Sequence, residues 1–231
     1  MKKIVVLSGA GISAESGIST FRDAGGLWDK YPVQQVASID GYNKNPALVI
    51  DFYNQRRKEL FHVTPNAAHQ IVHELEEKYE VTVVTQNIDN LHERAGSSKI
   101  IHLHGELTKI CSSKSPYNPR FIKQLTPNSP ELKVGDLAPD GSQYRPFIVW
   151  FGEAVPQMDR AIEETKEAAI FIIIGTSLNV YPAASLLHYI PQTASVYLID
   201  PKEVNMPSDR TIQFIQKSAT EGMKALKKIL L

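Results

Sequence analysis

Short apolar, β-branched runs alternate along the chain with segments of helical periodicity. The runs fall at 4–7, 81–84, 100–103, 148–151, 169–174 and 195–199. They are mostly continuous rather than alternating, as in Ile4-Val5-Val6-Leu7, which is expected of strands buried on both faces in a parallel sheet. Helical patterns occupy 66–78, 156–166 and 183–189. Strand and helix in turn predict an α/β fold, a parallel sheet covered by helices on both faces. Two stretches break this order. Residues 25–63 carry Trp28, Tyr31 and a helical run over 46–61, and residues 112–144 are rich in Pro, Ser, Asn and Lys, which reads as loop. Both read as insertions that build a small module. The expected organisation is one domain, with a core of about 1–24, 64–111 and 145–231 and a module of about 25–63 and 112–144.

The strand ends carry the candidate chemistry. The first run passes into Gly9-Ala10-Gly11, and the run ending at Ile174 passes into Gly175. Glycine permits a tight turn and a close approach of backbone to ligand. Strand-to-helix turns of this kind hold phosphates through free N–H groups. By spacing alone the turn is equally a packing device, because Gly9-x-Gly11 has no glycine three residues on. Ligands in such folds sit beyond the carboxyl ends of the strands. The glycine turn, residues 85–89, His104 and residues 175–177 all follow strands, so a single site is expected there.

Composition narrows the class further. The chain has 231 residues with 25 basic and 25 acidic side chains, so no bulk charge draws it to nucleic acid or membrane. The first apolar run is too short for a signal peptide or a membrane span. A soluble cytoplasmic protein is the default expectation. Cys111 is the only cysteine, which excludes an internal disulfide.

The longer motifs are more specific. Gly9-Ala10-Gly11-Ile12-Ser13 with Gly17-Ile18-Ser19-Thr20-Phe21-Arg22 resembles the signature of the sirtuins, the NAD-dependent protein deacylases. Gln86-Asn87-Ile88-Asp89, His104-Gly105, Arg145-Pro146 with Val149-Trp150-Phe151-Gly152-Glu153, and Gly175-Thr176-Ser177-Leu178 follow in the family's order. The resemblance covers nearly the whole chain. It implies a Rossmann-type core, NAD consumed as co-substrate, and acylated lysine side chains of proteins or peptides as the partner.

Roles follow for individual residues. His102 and His104 are two apart, so a strand points both to one side; the one followed by glycine resembles the family's base, and His102 is read as structural. An imidazole near neutrality suits removal of a ribose proton. The resemblance assigns Asn87 to a water, Asp89 to the nicotinamide carboxamide and Gln86 to ribose hydroxyls, although polar residues after a strand are often only turn formers. It places Arg22 by the pyrophosphate, Phe21 as a shield over the reactive sugar carbon, Gly175, Thr176 and Ser177 on the adenosine side, and Ala219 near the adenine. Asp200 stands where the family commonly has asparagine, and a carboxylate still accepts from ribose hydroxyls. The family's peptides add as a strand between two loops. The matching segments here are Val149 to Glu153, including Phe151 and Gly152, and 179–181 with Val180. Val149 backbone and the Phe151 side chain would line the acyl-lysine tunnel.

Tyr53 and Arg56 share a helix face at i and i+3. Taken alone they fit an amphipathic helix with Arg56, Arg57 and Lys58 solvated. In this position Tyr-x-x-Arg resembles the acid-pocket pair of desuccinylase and demalonylase sirtuins, and Ala37 matches the small residue that makes room for it. A guanidinium and a phenol together bind a carboxylate by charge-assisted hydrogen bonds. The resemblance therefore implies preference for succinyl- or malonyl-lysine over acetyl-lysine. Sirtuins usually hold a structural zinc in the second insertion through two cysteine pairs. Here Cys111 stands alone at the place of the first ligand, and one thiolate makes no closed tetrahedral site. No zinc is expected, Cys111 reads as a buried thiol, and the loop is expected to be held by packing of Tyr117, Phe121, Leu125 and Leu132.

In the mechanism the resemblance implies, the acyl oxygen attacks the ribose carbon bearing nicotinamide. His104 then acts as base on the ribose hydroxyls, and water completes release of lysine and acyl-ADP-ribose. Two alternatives share the scaffold: ADP-ribosyl transfer or NAD hydrolysis, and NAD binding without turnover.

Overall fold

The computed structural model describes residues 1–19, 31–204 and 210–231. In chain order the strands are β1 (Lys3–Ser8), β2 (Glu80–Thr85), β3 (Ile100–His102), β4 (Gly105–Ser112), β5 (Ile122–Gln124), β6 (Tyr144–Ile148), β7 (Ile170–Ile174), β8 (Ser195–Ile199) and β9 (Gln213–Ile215). The α-helices are α1 (Gly11–Ala14), α2 (Val33–Val36), α3 (Ile39–Lys44), α4 (Pro46–His62), α5 (Ala67–Glu74), α6 (Leu91–Ala95), α7 (Met158–Lys166) and α8 (Ala219–Leu230). Six strands form a parallel sheet in the order β3-β2-β1-β7-β8-β9. The order reverses between β1 and β7, the switch point at which such sheets open a crevice.

Both faces of the central strands are apolar, as the continuous runs predict. Ile4, Val6, Ile170, Ile172 and Ile174 pack toward α5 and α8, while Val5, Leu7, Phe171 and Ile173 pack toward α7 and the 3₁₀ turn Ala183–Tyr189. Each such side chain stabilises the fold by about 1.5–3 kcal/mol relative to exposure. Asn66 caps α5 by accepting from the Ala68 N–H, and its amide donates to the Ile12 carbonyl at 2.7 Å. The cap that starts the helix thus also anchors the glycine turn. Glu15, just after α1, accepts from the Thr220 N–H at 2.8 Å and from the Ser218 and Thr220 hydroxyls, tying that turn to the first turn of α8. Among the described residues no helix is long and apolar enough to cross a membrane.

The second sheet has the order β5-β4-β6 and is antiparallel. The run at 148–151, expected as a core strand, is largely loop, and the strand lies upstream as β6 in this small sheet. The module boundaries expected at 111 and 145 shift accordingly. β4 leaves the large sheet directly after His104, and Leu107, Ile110, Ile148 and Trp150 pack with Val49, Phe52, Tyr53 and Leu60 from α4. Gly105 enables the departure: its φ is +83°, and a methyl there would collide with the Phe147 carbonyl.

The 112–144 stretch is held differently from expectation. Leu125 and Leu132 are buried, but Tyr117 is exposed and Phe121 only half-buried. Polar ties supply the rest. Arg57, fully buried rather than solvated, donates to the carbonyls of Leu107 (2.7 Å) and Pro130 (2.9 Å), and Asn54 exchanges two hydrogen bonds with Leu132. Burial pushes the Arg57 guanidinium down to about 10. Beside Cys111, the Ser112 hydroxyl donates to Asp140 at 2.6 Å.

Candidate active site

The crevice opens where β1, β2 and β7 end. The Gly9 N–H donates to the Ile174 carbonyl at 3.0 Å and the Gly11 N–H to the Gly175 carbonyl at 2.9 Å. A Cβ on Gly9 would lie 2.7 Å from that Gly175 oxygen, and Gly175 itself has φ +64°. The glycines therefore let two loops cross in backbone contact. This corrects one expectation: the N–H groups of Gly9 and Gly11 are spent on β7's end rather than left free for phosphate. The Ala10 N–H has no backbone partner among the described residues.

The turn after β2 supplies the polar floor. Asn87 is buried, and its amide donates to the Gly9 carbonyl (3.1 Å) and the Ser13 hydroxyl (3.2 Å). Ser13 in turn donates to Asp89 at 3.0 Å, and Gln86 donates to the Thr176 hydroxyl at 3.0 Å. Burial holds the Asp89 carboxyl above its usual range, against the bonds from the Leu91 N–H and Ser13. Beneath the turn, Ser8 bonds Thr85 and His92, and His92 meets His69 edge to face at 4.9 Å. Burial keeps both rings neutral, with His69 pushed down to about 4 and His92 well below its ordinary value.

Two imidazoles pin this turn, His102 at the end of β3 and His104 just beyond it. The Nδ1 of His104 faces the Gln86 carbonyl at 2.9 Å and that of His102 faces the Asn87 carbonyl at 3.1 Å. A carbonyl only accepts, so each Nδ1 carries a proton. In His104 this leaves Nε2 as the lone-pair nitrogen, with no partner among the described residues. Burial lowers the His104 pKa, which keeps that lone pair available at neutral pH.

One cleft joins this floor to the module. Its walls include Ala10, Ser13, Asn87, Ile88 and Asp89 on one side and Arg56 and Glu59 on the other. The Arg56 side chain is 10% exposed and pairs with Glu59 at 3.0 Å. Burial lowers its pKa against the charge of Glu59. Tyr53 is not on the cleft wall. It is buried, its hydroxyl accepts from the Trp150 indole N–H at 3.0 Å, and burial pushes the phenol up.

The 149–153 loop is built against the same module. The Val149 N–H donates to the His104 carbonyl and the Phe151 N–H to the Ala37 carbonyl, both at 2.9 Å. The Phe151 side chain is exposed, as is Gly152. Glu153, expected to meet substrate, is occupied otherwise: Arg145 grips both its oxygens at 2.6 and 2.8 Å, and the Trp150 N–H donates to it. Arg145 also stacks 3.7 Å from the Trp150 ring. Glu153 thus shapes the loop.

At the far edge, Ser177 is exposed and Val180 half-buried, while Asp200 follows β8 and Ala219 opens α8. Phe21 and Arg22 lie outside the described residues. Sequence reasoning passed over Trp150, Glu59 and Arg145 as structural partners; the i,i+3 spacing of Arg56 and Glu59 was the one signal available. Among the described residues, Glu93, His102 and Glu106 bring potential metal-ligating atoms within 4.8 Å of one another. Those atoms are already engaged, Glu93 with His102 and Glu106 with Lys109. Cys111 is buried, and its thiol is pushed up to about 12 by burial, far from a reactive thiolate.

Comparison with known proteins bears on this geometry. The Sir2 family profile matches residues 9–182. An NAD-dependent protein deacylase of Bacteroides thetaiotaomicron is 64% identical over 231 residues, covering 100% of this chain and 99% of the relative. A Sir2 homologue solved with NAD superposes with a TM-score of 0.86 at 39% identity, covering 99% of this chain and 89% of the other. A Sir2 protein bound to an acetylated peptide gives a TM-score of 0.79 at 30% identity, with 99% and 92% covered.

Proposed function

The chain belongs to the Sir2 family and is an NAD-dependent protein-lysine deacylase, and on that premise we propose that it prefers lysines bearing acidic acyl groups, succinyl or malonyl, over acetyl-lysine. The observation that carries this is the placement of Arg56. Its guanidinium faces the same cleft as Asn87 and Asp89, is largely withdrawn from water, and among the described residues forms its ion pair with Glu59. A guanidinium in that position has donors to spare for a terminal carboxylate, and two parallel N–H···O bonds add geometric selection. Tyr53 supports the pocket from within, held by Trp150, and Ala37 matches by resemblance the small residue that makes room for the pair.

NAD supplies the electrophilic ribose carbon that takes up the acyl group. The chain supplies placement and proton transfer. Gly9, Gly11 and Gly175 let the two loops that floor the crevice cross in backbone contact, where any Cβ would collide with the facing loop, and this keeps the floor low enough for a nucleotide to lie over it. On the nicotinamide side Asp89 would hold the carboxamide, Gln86 would bind ribose hydroxyls and Asn87 would orient a water. Thr176, Ser177, Asp200 and the Ala219 backbone would hold the adenosine half; the roles expected of Arg22 and Phe21 fall outside the described residues. His104 takes a ribose proton at Nε2 while Nδ1–H stays on the Gln86 carbonyl, so the ring is fixed in one tautomer during transfer. The acylated peptide adds as a strand between 149–153 and 179–181, with its lysine passing Val149 and Phe151. Orientation and exclusion of water carry most of the rate enhancement.

The test is a pair of identical lysine peptides, succinylated and acetylated, incubated with NAD and followed by mass spectrometry of peptide and nucleotide products. The expected result is a kcat/KM at least about tenfold higher for succinyl, as one well-placed ion pair allows, with acyl-ADP-ribose formed. Equal or higher values for acetyl would remove the acid pocket and leave the deacylase.

A further inference from the structure

His102, at the end of β3, and His104, just beyond it, use Nδ1 alike on the carbonyls of the same turn, but their second nitrogens differ. His104 Nε2 is open. His102 Nε2 lies 2.6 Å from a Glu93 carboxylate oxygen, while its Nδ1 faces the Asn87 carbonyl at 3.1 Å. Both partners only accept hydrogen bonds. A neutral imidazole carries one N–H and would aim its lone pair at one of these oxygens. Only the doubly protonated ring satisfies both contacts. We propose that His102 is a positioning residue, an imidazolium clamped by Glu93, which holds the Gln86–Asn87 turn in its NAD-binding arrangement and sets the alkaline limit of turnover.

The surroundings favour the charge. Around the ring stand Glu93 and His92 from α6, Asp89 from the turn, and Glu106 from β4, the last paired with Lys109 at 2.7 Å. Burial by itself would discharge the ring, but the hydrogen bond and charge of Glu93, then Glu106 and the Asn87 carbonyl, outweigh it and raise the His102 pKa. The same contact holds Glu93 below its usual range. The clamp is therefore complete below the raised pKa and loosens as pH climbs through it. Slack at the Asn87 carbonyl would pass to the side-chain bonds of Asn87 with Gly9 and Ser13, and from Ser13 to Asp89. The inference rests on the assignment of that turn to the nicotinamide side of the site.

Imidazole NMR of the unaltered protein reads the charge directly. His102 is expected to titrate above the ordinary histidine value with both ring protons bound at neutral pH, and a midpoint at or below that value overturns the proposal even if no variant folds. In Glu93→Gln the midpoint is expected to fall by about one pH unit or more. The alkaline limb of kcat/KM for NAD should fall with it, and KM for NAD should rise several-fold more than kcat drops at neutral pH. Glu93→Asp is expected to recover part of the shift. A Glu93→Gln profile that superimposes on the parent overturns the clamp. Asn87→Ala, run in parallel, separates the two assignments: undiminished turnover there would overturn the role of the turn itself, and with it any positioning by His102.

Discussion

The two sides of the cleft are built from different materials. The cofactor side is made of strand ends, crossed glycine loops and neutral groups that use up one another's hydrogen bonds, such as Asn87 with Gly9 and Gln86 with Thr176. The side on which we place the acyl group carries charged pairs from α4, β6 and the 149–153 loop: Arg56 with Glu59, and Arg145 of β6 with Glu153. Backbone geometry cannot be altered one atom at a time, whereas a side chain can be exchanged on an intact helix. The expected consequence is that NAD handling is fixed by the fold and acyl preference is carried by a few replaceable groups.

The largest expected effect breaks the first half of this comparison. His104→Ala removes Nε2, an imidazole nitrogen with no partner among the described residues, and should lower deacylation roughly 100- to 10,000-fold on any acyl group, with NAD affinity by calorimetry little changed. A loss confined to succinyl peptides would place His104 on the acyl side instead. Acidification should also strike the cofactor side first. His69 is held neutral by burial, with its pKa lowered from 6.5 to about 4. The unfolded chain therefore binds the extra proton as pH falls from 6.5, and stability drops through that window by roughly 3 kcal/mol from this ring alone. His92 acts in the same direction. Melting followed between pH 7 and 4.5 checks this, and a flat Tm would show the rings to be solvated. The smallest change sharpens the comparison. Arg56→Met should cut kcat/KM for succinyl peptide about tenfold or more and that for acetyl peptide by less than about threefold. Equal losses on both would return Arg56 to a structural role.

Legibility in the sequence follows the same divide. The runs of β1, β7 and β8 are continuous because both faces are covered, and their ends mark the crevice without further information. His104 stands out in the sequence only through the family resemblance, since spacing alone does not separate it from His102; the glycine after it is required by a positive φ at Gly105. The module was less legible. Its small sheet contains a buried arginine (Arg145) within β6, so no apolar run announces the strand, and the run at 148–151 that does stand out packs as a loop. Arg57 reads as a surface cation in sequence because its acceptors are carbonyls 50 and 73 residues away. β9 is too short and too exposed for its pattern to be read. Local periodicity reports burial by apolar neighbours; it is silent on burial by distant polar ones.

The placement of β1 between β2 and β7 also bears on how the chain is made. Synthesis delivers β1 and its glycine turn early, but β7 much later, and the Glu15 contact with α8 later still. Until then one edge of a fully buried strand is without a partner, and the loop that crosses Gly175 has nothing to cross. A nascent chain therefore carries an exposed, sticky edge through most of translation. The nucleotide crevice is among the last parts to close, so an interrupted synthesis product keeps the hazard and gains none of the activity.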